Sequence, residues 1–380
     1  MPVHVQITTP VCHQKAQKLL ALKSEARHSG CLVQVTFVLL HLFLASASIS
    51  AQNWVQETNL PNHINWISVA SSGDGSKLFA SDYFGDVYLS TNSGAAWAKS
   101  SLGLFGDDAC VACSADAQMV VAALRYPGVI CTSTNAGASW VTNDAPDKLW
   151  LAVACSADGS TVIAAATSWP TYTSTNYGKT WSSNNTPSAH WSSVASSAEG
   201  TELFAVAFDD GAGNGGLVYS STNSGTSWVE NRAPSVDWSS TYKPSLSSVA
   251  CSAGGAKVIV AAYGGSIYHS TNAGAEWTPC NVPWGYWKAV ASSADGTKLL
   301  AGMVGGGIYT STDSGITWSL NNTPITSWWA VAMSADGSKL VALEDSYPNG
   351  GCIYSLHTVP MPGLNFSLFG DFLVIFHWAG

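Results

Sequence analysis

The chain has 380 residues, of which only 10% are charged, and a formal net charge of −9. This acidic balance argues against nucleic acid as a partner, because phosphate binding requires clustered Lys and Arg. The 35 glycines and 17 tryptophans favour many short strands and turns over long helices. We therefore expect an all-β protein.

An uncharged segment near the start, residues 31–51, has the composition of an export signal. A basic stretch precedes its apolar run, and small residues follow from Ala45 to Ala51. The apolar run of about 14 residues is short for a membrane span, so we expect cleavage near Ala47 or Ala51. A retained membrane anchor is the alternative. The rest of the chain is expected to be secreted, periplasmic or extracellular, with membrane contact only through an uncleaved segment.

An eight-residue phrase then recurs six times, first at residues 90–97 and last at residues 311–318. Its closing tryptophans lie 41 to 49 residues apart, a repeat length that is typical of propeller blades. The Asn or Asp at its third position is expected to accept hydrogen bonds from backbone amides, and the glycine at its fifth to take a left-handed conformation. We assign these positions a structural role: Asn92, Gly94, Trp97, Asn135, Gly137, Trp140, Asn176, Gly178, Trp181, Asn223, Gly225, Trp228, Asn272, Gly274, Trp277, Asp313, Gly315 and Trp318.

A second phrase, Val-Ala-x-Ser, begins at seven positions and predicts seven inner strands. These positions are Val69, Val111, Val153, Val194, Val249, Val290 and Val331. The residues after Trp54 resemble those after Trp318, so an N-terminal strand is expected to supply the missing outer strand of the last blade. We predict a seven-bladed β-propeller of four-stranded antiparallel blades over residues 52–358. Residues 1–51 precede it as signal or anchor, and residues 359–380 follow as a β-hairpin-like tail or the start of a further β domain.

The up-and-down order of strands sorts the loops of a blade onto two faces. The link between the first two strands and the repeated eight-residue phrase fall on one face, here called the uniform face. The links between second and third strands and those between blades fall on the other, the variable face, where function is expected. Asp-Gly pairs in the first links, such as Asp295-Gly296, predict type I′ turns.

The last phrase, Ser-Thr-Asp-Ser-Gly-Ile-Thr-Trp at residues 311–318, resembles the Asp-box of sialidase-type propellers. With the preceding residues 306–309 it is also similar to repeats of the photosystem II assembly-factor family and of xyloglucanase-type glycoside hydrolases. The likeness covers about residues 54–356. The sialidase resemblance implies an arginine triad, which Arg125 and Arg232, the arginines after the export segment, cannot form. The assembly-factor resemblance implies a non-enzymatic, protein-binding propeller.

Tryptophans supply the candidate ligand contacts. Trp169, Trp238 and Trp284 lie outside the repeat, so no blade position demands them. Trp150, Trp191 and Trp287 recur three residues ahead of the valine of the inner strand, as do Trp66 and Trp328. This second group is expected to form a ring near the channel mouth, either as a stacking rim for sugars or as packing between blades.

These features predict a binding or scaffolding module for a protein or a glycan. The alternative is a glycoside hydrolase, which needs two carboxylates about 5 to 10 Å apart on one face. Acidic residues predicted on the variable face are Asp82, Asp86, Asp107, Asp108, Asp209, Asp210, Asp237, Glu344 and Asp345. Neither a metal site nor a cofactor is expected, because Cys110 and Cys113 stand without a second pair of ligands. Cys110 and Cys131 could close a disulfide within one blade.

Overall fold

The repeated phrases fold into antiparallel four-stranded sheets arranged as the blades of a propeller. The computed structural model describes residues 50–60, 64–100, 102, 106–209, 216–231, 245–345, 350–360, 364–369 and 372–377. Residues 1–49 of the predicted signal at residues 1–51 lie outside the described residues, as do Trp238, Asp210 and Asp237. No helix that could span a membrane occurs in the part of the chain that the structure describes.

The strands follow one another from the inside of each blade to its edge. The N-terminal strand and blades 1 to 3 comprise β1 (Ser50–Gln56); β2 (Trp66–Ser71), β3 (Leu78–Asp82), β4 (Val87–Ser90), β5 (Ala98–Ser100); β6 (Asp107–Cys113), β7 (Val120–Tyr126), β8 (Ile130–Ser133), β9 (Val141–Thr142); and β10 (Trp150–Cys155), β11 (Val162–Trp169), β12 (Tyr172–Ser174), β13 (Ser182–Ser183).

Blades 4 to 7 repeat this order. They comprise β14 (Ala189–Ser196), β15 (Leu203–Asp209), β16 (Val218–Ser221), β17 (Val229–Asn231); β18 (Ser245–Cys251), β19 (Val258–Gly265), β20 (Ile267–Ser270), β21 (Thr278–Pro279); β22 (Gly285–Ser292), β23 (Leu299–Met303), β24 (Ile308–Ser311), β25 (Ser319–Leu320); and β26 (Ser327–Met333), β27 (Leu340–Asp345), β28 (Ile353–Pro360) with β1. Blades 3 and 4 are also joined through β11 and β14, and blades 5 and 6 through β19 and β22.

The expectation that an N-terminal strand completes the last blade is confirmed, because β1 pairs with the outer side of β28. The amide of Glu57 donates to the carbonyl of Ile353 at 2.8 Å, and Gln56 Nε2 contacts Cys352 Sγ at 3.0 Å. Trp54 packs against the apolar core between blades 6 and 7. The two ends of the propeller are therefore held in one sheet.

Backbone hydrogen bonds between the first links of neighbouring blades form a closed ring. Each link residue donates to the equivalent residue of the next blade, and the seventh donates back to the first. The donor–acceptor pairs are Gly73–Ala115, Ala115–Ala157, Ala157–Ala198, Ala198–Ala253, Ala253–Ala294, Ala294–Ala335 and Ala335–Gly73, at 2.7 to 2.8 Å. The seven bonds connect the first links in cyclic order, in agreement with the predicted count of seven blades.

The apolar core lies between blades, in seven clusters that each combine residues of two neighbours. In β11, Val162 and Ala164 pack toward blade 2, whereas Ile163 and Ala165 pack toward blade 4. Since both faces of the strand are covered, its sequence is a continuous apolar run rather than an alternation. Small alanines allow the neighbouring sheets to approach closely.

The repeated phrase makes a tight turn on the uniform face. In blade 6 Asp313 Oδ1 accepts a 2.9 Å bond from the amide of Thr317, and Ser311 Oγ accepts a 2.9 Å bond from the amide of Gly315. Gly315 has φ of +91°. The Trp318 indole folds back to donate to the Gly315 carbonyl at 3.1 Å. The amide of Ser314 bonds to the Thr297 carbonyl in the first link, so both elements share one face.

Two local expectations were wrong. The first link of blade 6 is not a two-residue type I′ turn, because Gly296 has positive φ and Asp295 does not. Instead the Asp295 carboxylate accepts bonds from Ser293 and Thr297, which stabilises a longer turn. The disulfide considered between Cys110 and Cys131 is not formed, and both thiols are free.

Residues 53–357 form one compact unit, which contains the propeller. The described part of a second unit contains a hairpin, in which β29 (Leu364–Phe369) pairs antiparallel with β30 (Phe372–His377).

Candidate binding site at the channel mouth

A central channel runs between the inner strands of all seven blades. It encloses a cavity of about 600 Å³, a volume within the range of small-ligand sites. Valines of the inner strands line its deeper part. Toward the variable face its wall includes charged and aromatic side chains: Asp108, Arg125, His190, Phe208, Tyr263, Lys288 and Trp329.

One ion pair and one histidine–carboxylate contact stand at this wall. Arg125 Nη1 lies 3.0 Å from Asp108 Oδ2, because the register of β6 and β7 places Asp107 opposite Tyr126 and so aligns Asp108 with Arg125. On blade 4, His190 Nδ1 lies 2.8 Å from Asp209 Oδ1. Asp108 and Asp209, the carboxylates of these two contacts, are both among the residues considered above as candidates for a hydrolase.

Lys288 enters the channel from the inner strand of blade 6. Its position, two residues before Val290, is occupied in other blades by apolar or small residues, such as Ile67, Leu151 and Ser247. Its ammonium stands 4.0 Å from the ring centroid of Trp329 in blade 7, in a cation–π contact. Burial lowers the pKa of Lys288, and the nearby acidic groups of Cys110 and Asp345 oppose that shift.

Aromatic rings extend from the channel wall to the rim of the variable face. The ring centroids of Tyr263 and Tyr286 are 4.9 Å apart, and those of Tyr286 and Trp284 are 5.6 Å apart. Pairing of β19 with β22 sets Tyr263 opposite Tyr286. Trp284 is 63% exposed at the outer end of this row. Trp169, 45% exposed, lies across the rim with the Lys148 ammonium 3.3 Å from its ring centroid.

The tryptophans of the repeat lie between the blades rather than in the channel mouth. Trp150, Trp191 and Trp287 are fully buried, so a ligand cannot reach their rings in this arrangement. Each packs edge-to-face on a tyrosine of its own blade, with ring centroids 5.1 to 5.8 Å apart. Trp191 Nε1 donates to the backbone carbonyl of Trp169 at 2.9 Å. The buried tryptophan thereby fixes the backbone under an exposed one.

Three of the other candidate carboxylates hold loops together. Asp82 is buried and accepts a 2.8 Å bond from the amide of Asp86, and burial raises the pKa of its carboxyl to about 6. Asp86 is paired with Lys99 at 2.6 Å. Glu344 Oε1 accepts a 2.6 Å bond from Thr326 Oγ1. Among the described residues that line the cavity, Asp108 is the only carboxylate.

Sequence reasoning did not single out Lys288, Trp329 or Tyr263, and it did not pair Asp108 with Arg125. One signal could have found Lys288. Aligned on the valine of the inner strand, it is the only lysine at its repeat position in the described blades. Within the described residues no three His, Cys, Asp or Glu side chains gather as a metal site would require.

Fold and channel together define this chain as a β-propeller protein with an open, aromatic-rimmed channel mouth. No family model matches the chain, and no characterised sequence does. Solved structures show the same fold at low identity. YCF48 from Cyanidioschyzon merolae is 15% identical with a TM-score of 0.60, covering 80% of this chain and 98% of its own. A second YCF48 structure, bound to a D1 peptide, is 13% identical with a TM-score of 0.59, covering 80% and 97%.

Proteins of other activities share the fold. The GH74 xyloglucanase of Xanthomonas campestris is 15% identical with a TM-score of 0.58, covering 80% of this chain and 55% of its own. Hydrazine synthase of Kuenenia stuttgartiensis is 15% identical with a TM-score of 0.61, covering 79% and 98%. At such identities the likeness shows the propeller, which hosts unrelated functions.

Proposed function

We propose that this chain is a non-enzymatic binding or scaffolding propeller that recognises a protein or a glycan through its variable face. The observation that carries the proposal is the one-sided distribution of exposed aromatic side chains. Of the eight among the described residues, seven lie in variable-face loops or strand ends: Tyr83, Phe84, Tyr126, Trp169, Phe208, Trp284 and Tyr286. The eighth, Tyr177, lies in a repeated turn on the uniform face. Exposed aromatic clusters beside a channel are typical of binding surfaces.

The carboxylates favour binding over hydrolysis. A glycosidase needs one carboxyl as acid and a second as base or nucleophile. Asp108, the described carboxylate in the channel wall, is held by Arg125, and Asp209 by His190. No second carboxylate stands beside Asp108 among the described residues that line the channel wall. The structure of YCF48 bound to a D1 peptide supports a peptide as one candidate ligand class.

A glycoside hydrolase is the second candidate, supported by the likeness to a xyloglucanase. In that case two carboxylates of the variable face would have to act on a glucan laid across the aromatic rim. We also propose that the repeated turn is an Asp-box, supported by its bonds from Asp313 and Ser311. Export is proposed from the composition of residues 31–51. N-terminal sequencing of the mature protein tests it.

One experiment separates the two functions. Peptide and polysaccharide arrays, xyloglucan included, are probed with the wild-type protein, Trp284→Ala and Tyr177→Ala, and soluble reducing sugar is measured in parallel. We expect the wild-type protein to bind a ligand on an array without releasing sugar. Trp284→Ala should bind the same ligand at least about tenfold more weakly. Tyr177→Ala removes an exposed aromatic ring of the opposite face and should bind as wild type. Released oligosaccharides would support the hydrolase, and unchanged binding by Trp284→Ala would contradict the assignment of the face.

A further inference from the structure

Lys288 stands out among the charged groups at the channel because its charge is not paired. The other described polar groups of this kind in the wall have partners: Asp108 pairs with Arg125, and His190 contacts the Asp209 carboxylate. Among the described residues, no acceptor lies within hydrogen-bond or ion-pair distance of the Lys288 ammonium, and its described contact is with the Trp329 ring. In a chain of net charge −9, Lys288 is thus a cation that faces the cavity without a direct hydrogen-bonded or ion-paired partner among the described residues.

Burying the Lys288 ammonium without an anionic partner costs electrostatic free energy, and a bound anion can restore that free energy. A half-buried ammonium loses part of its hydration, and a cation–π contact replaces only some of it. Burial lowers the pKa of Lys288, in agreement with that loss. An anion seated beside the ammonium would restore the missing electrostatic stabilisation and would gain from the low dielectric of the channel.

We propose that the channel mouth binds a ligand through a single carboxylate, which sits on Lys288, while the apolar part of the ligand lies along the aromatic wall that includes Phe208, Tyr263 and Trp329. One ammonium balances one negative charge, so a carboxylate fits better than a doubly charged phosphate or sulfate. The cavity of about 600 Å³ has room for a group larger than the carboxylate itself. The inference rests on the proposed function, since it names the chemistry recognised at the same face.

The test uses phenylacetate as the probe and phenylacetamide as its neutral counterpart. Affinities for the full-length protein are measured by calorimetry or ligand-observed NMR at low salt. We expect phenylacetate to bind wild type at least about tenfold more tightly than phenylacetamide does, and Lys288→Met to lose that preference. Lys288→Arg keeps the positive charge and should therefore keep the preference for phenylacetate. Lys148→Met is the matched control, because Lys148 also lies on a tryptophan ring, that of Trp169, outside the cavity lining.

Three outcomes would overturn the proposal. They are equal affinity for acid and amide in the wild type, unchanged phenylacetate affinity in Lys288→Met, and sulfate competing with phenylacetate at equal concentration. If Lys288→Met fails to fold, the comparison of acid with amide in wild type and Lys288→Arg still decides. If the protein binds a macromolecule through the Trp284 rim but does not bind the carboxylate, this inference is wrong and the proposed function stands. Carboxylate binding without any macromolecular ligand would instead count against the proposed function.

Discussion

The backbone amide of Ala335 in blade 7 donates a 2.7 Å hydrogen bond to the carbonyl of Gly73 in blade 1. These residues are 262 positions apart, yet they occupy the same place in their repeats. Their contact joins the last inner strand to the first and makes the ring of link bonds continuous. Because the ring is closed, every variable-face loop surrounds one channel, and side chains of distant segments meet at its mouth.

The first prediction concerns β1. Trp54→Ala should lower the free energy of unfolding by about 2–3 kcal/mol, because Trp54 packs on the core between blades 6 and 7. Its neighbour Val55 is 40% exposed, so Val55→Ala should cost less than about 0.5 kcal/mol. Chemical denaturation measures both. Equal effects would mean that β1 does not pack as the outer strand of blade 7.

The second prediction compares two glycines of blade 6 with the same φ of +65°. A Cβ on Gly305 would meet nothing within 4 Å, so Gly305→Ala should cost only the backbone strain of about 1–2 kcal/mol. A Cβ on Gly296 would lie 2.7 Å from Lys257 Cδ and 3.0 Å from its Cβ, in blade 5. Gly296→Ala should therefore be about 1–3 kcal/mol worse. Identical unfolding free energies would argue against close packing of the first links.

The third prediction is a pH dependence at Asp82. Since burial raises the pKa of Asp82 to about 6, the folded state holds a proton that the unfolded chain releases near pH 4. Stability should therefore fall as pH rises from about 4 to about 6, by on the order of 2–3 kcal/mol. Asp82→Asn mimics the neutral form and should match wild type near pH 4 and exceed it above pH 6. Urea titrations across this range measure the difference, and parallel curves would contradict the buried carboxyl.

The fourth prediction concerns the thiols. Burial raises the pKa of Cys110, Cys155 and Cys251 to about 12. At pH 8 the folded protein should therefore alkylate at these positions at least about a hundredfold more slowly than the denatured chain. Peptide mapping after a timed iodoacetamide pulse gives the rates. Comparable rates in the two states, or a peptide linking Cys110 with Cys131, would show that the inner strands are packed differently.

The repeat made most of the fold predictable. Val-Ala-x-Ser at seven places and the similarity of the residues after Trp54 to those after Trp318 led to seven blades and a shared last sheet. The turn at Asp295 was not predicted correctly, because an Asp-Gly pair suits more than one turn. Its hydrogen bonds with Ser293 and Thr297 decide the form.

The site was less predictable, for a physical reason. Side chains that meet in the channel come from different blades. The sequence of a single repeat does not determine the angle between neighbouring blades, so it does not predict which side chains meet. No sequence pattern indicates that Lys288 contacts Trp329, because the two residues lie in neighbouring blades. The repeat did set Trp284 apart from Trp287, three residues away, but it left open whether the repeat tryptophans line the mouth or pack between blades. The structure buries Trp287 and leaves Trp284 exposed.

The closed ring is tested most directly by hydrogen–deuterium exchange resolved to single amides. The Ala335 amide bridges the last blade to the first, and the Ala294 amide bridges blades 6 and 7 by the same bond, both at 2.7 Å. If the ring is closed, both amides exchange slowly and at similar rates. Fast exchange at Ala335 beside slow exchange at Ala294 would show an open ring, and the variable face would no longer surround a single channel.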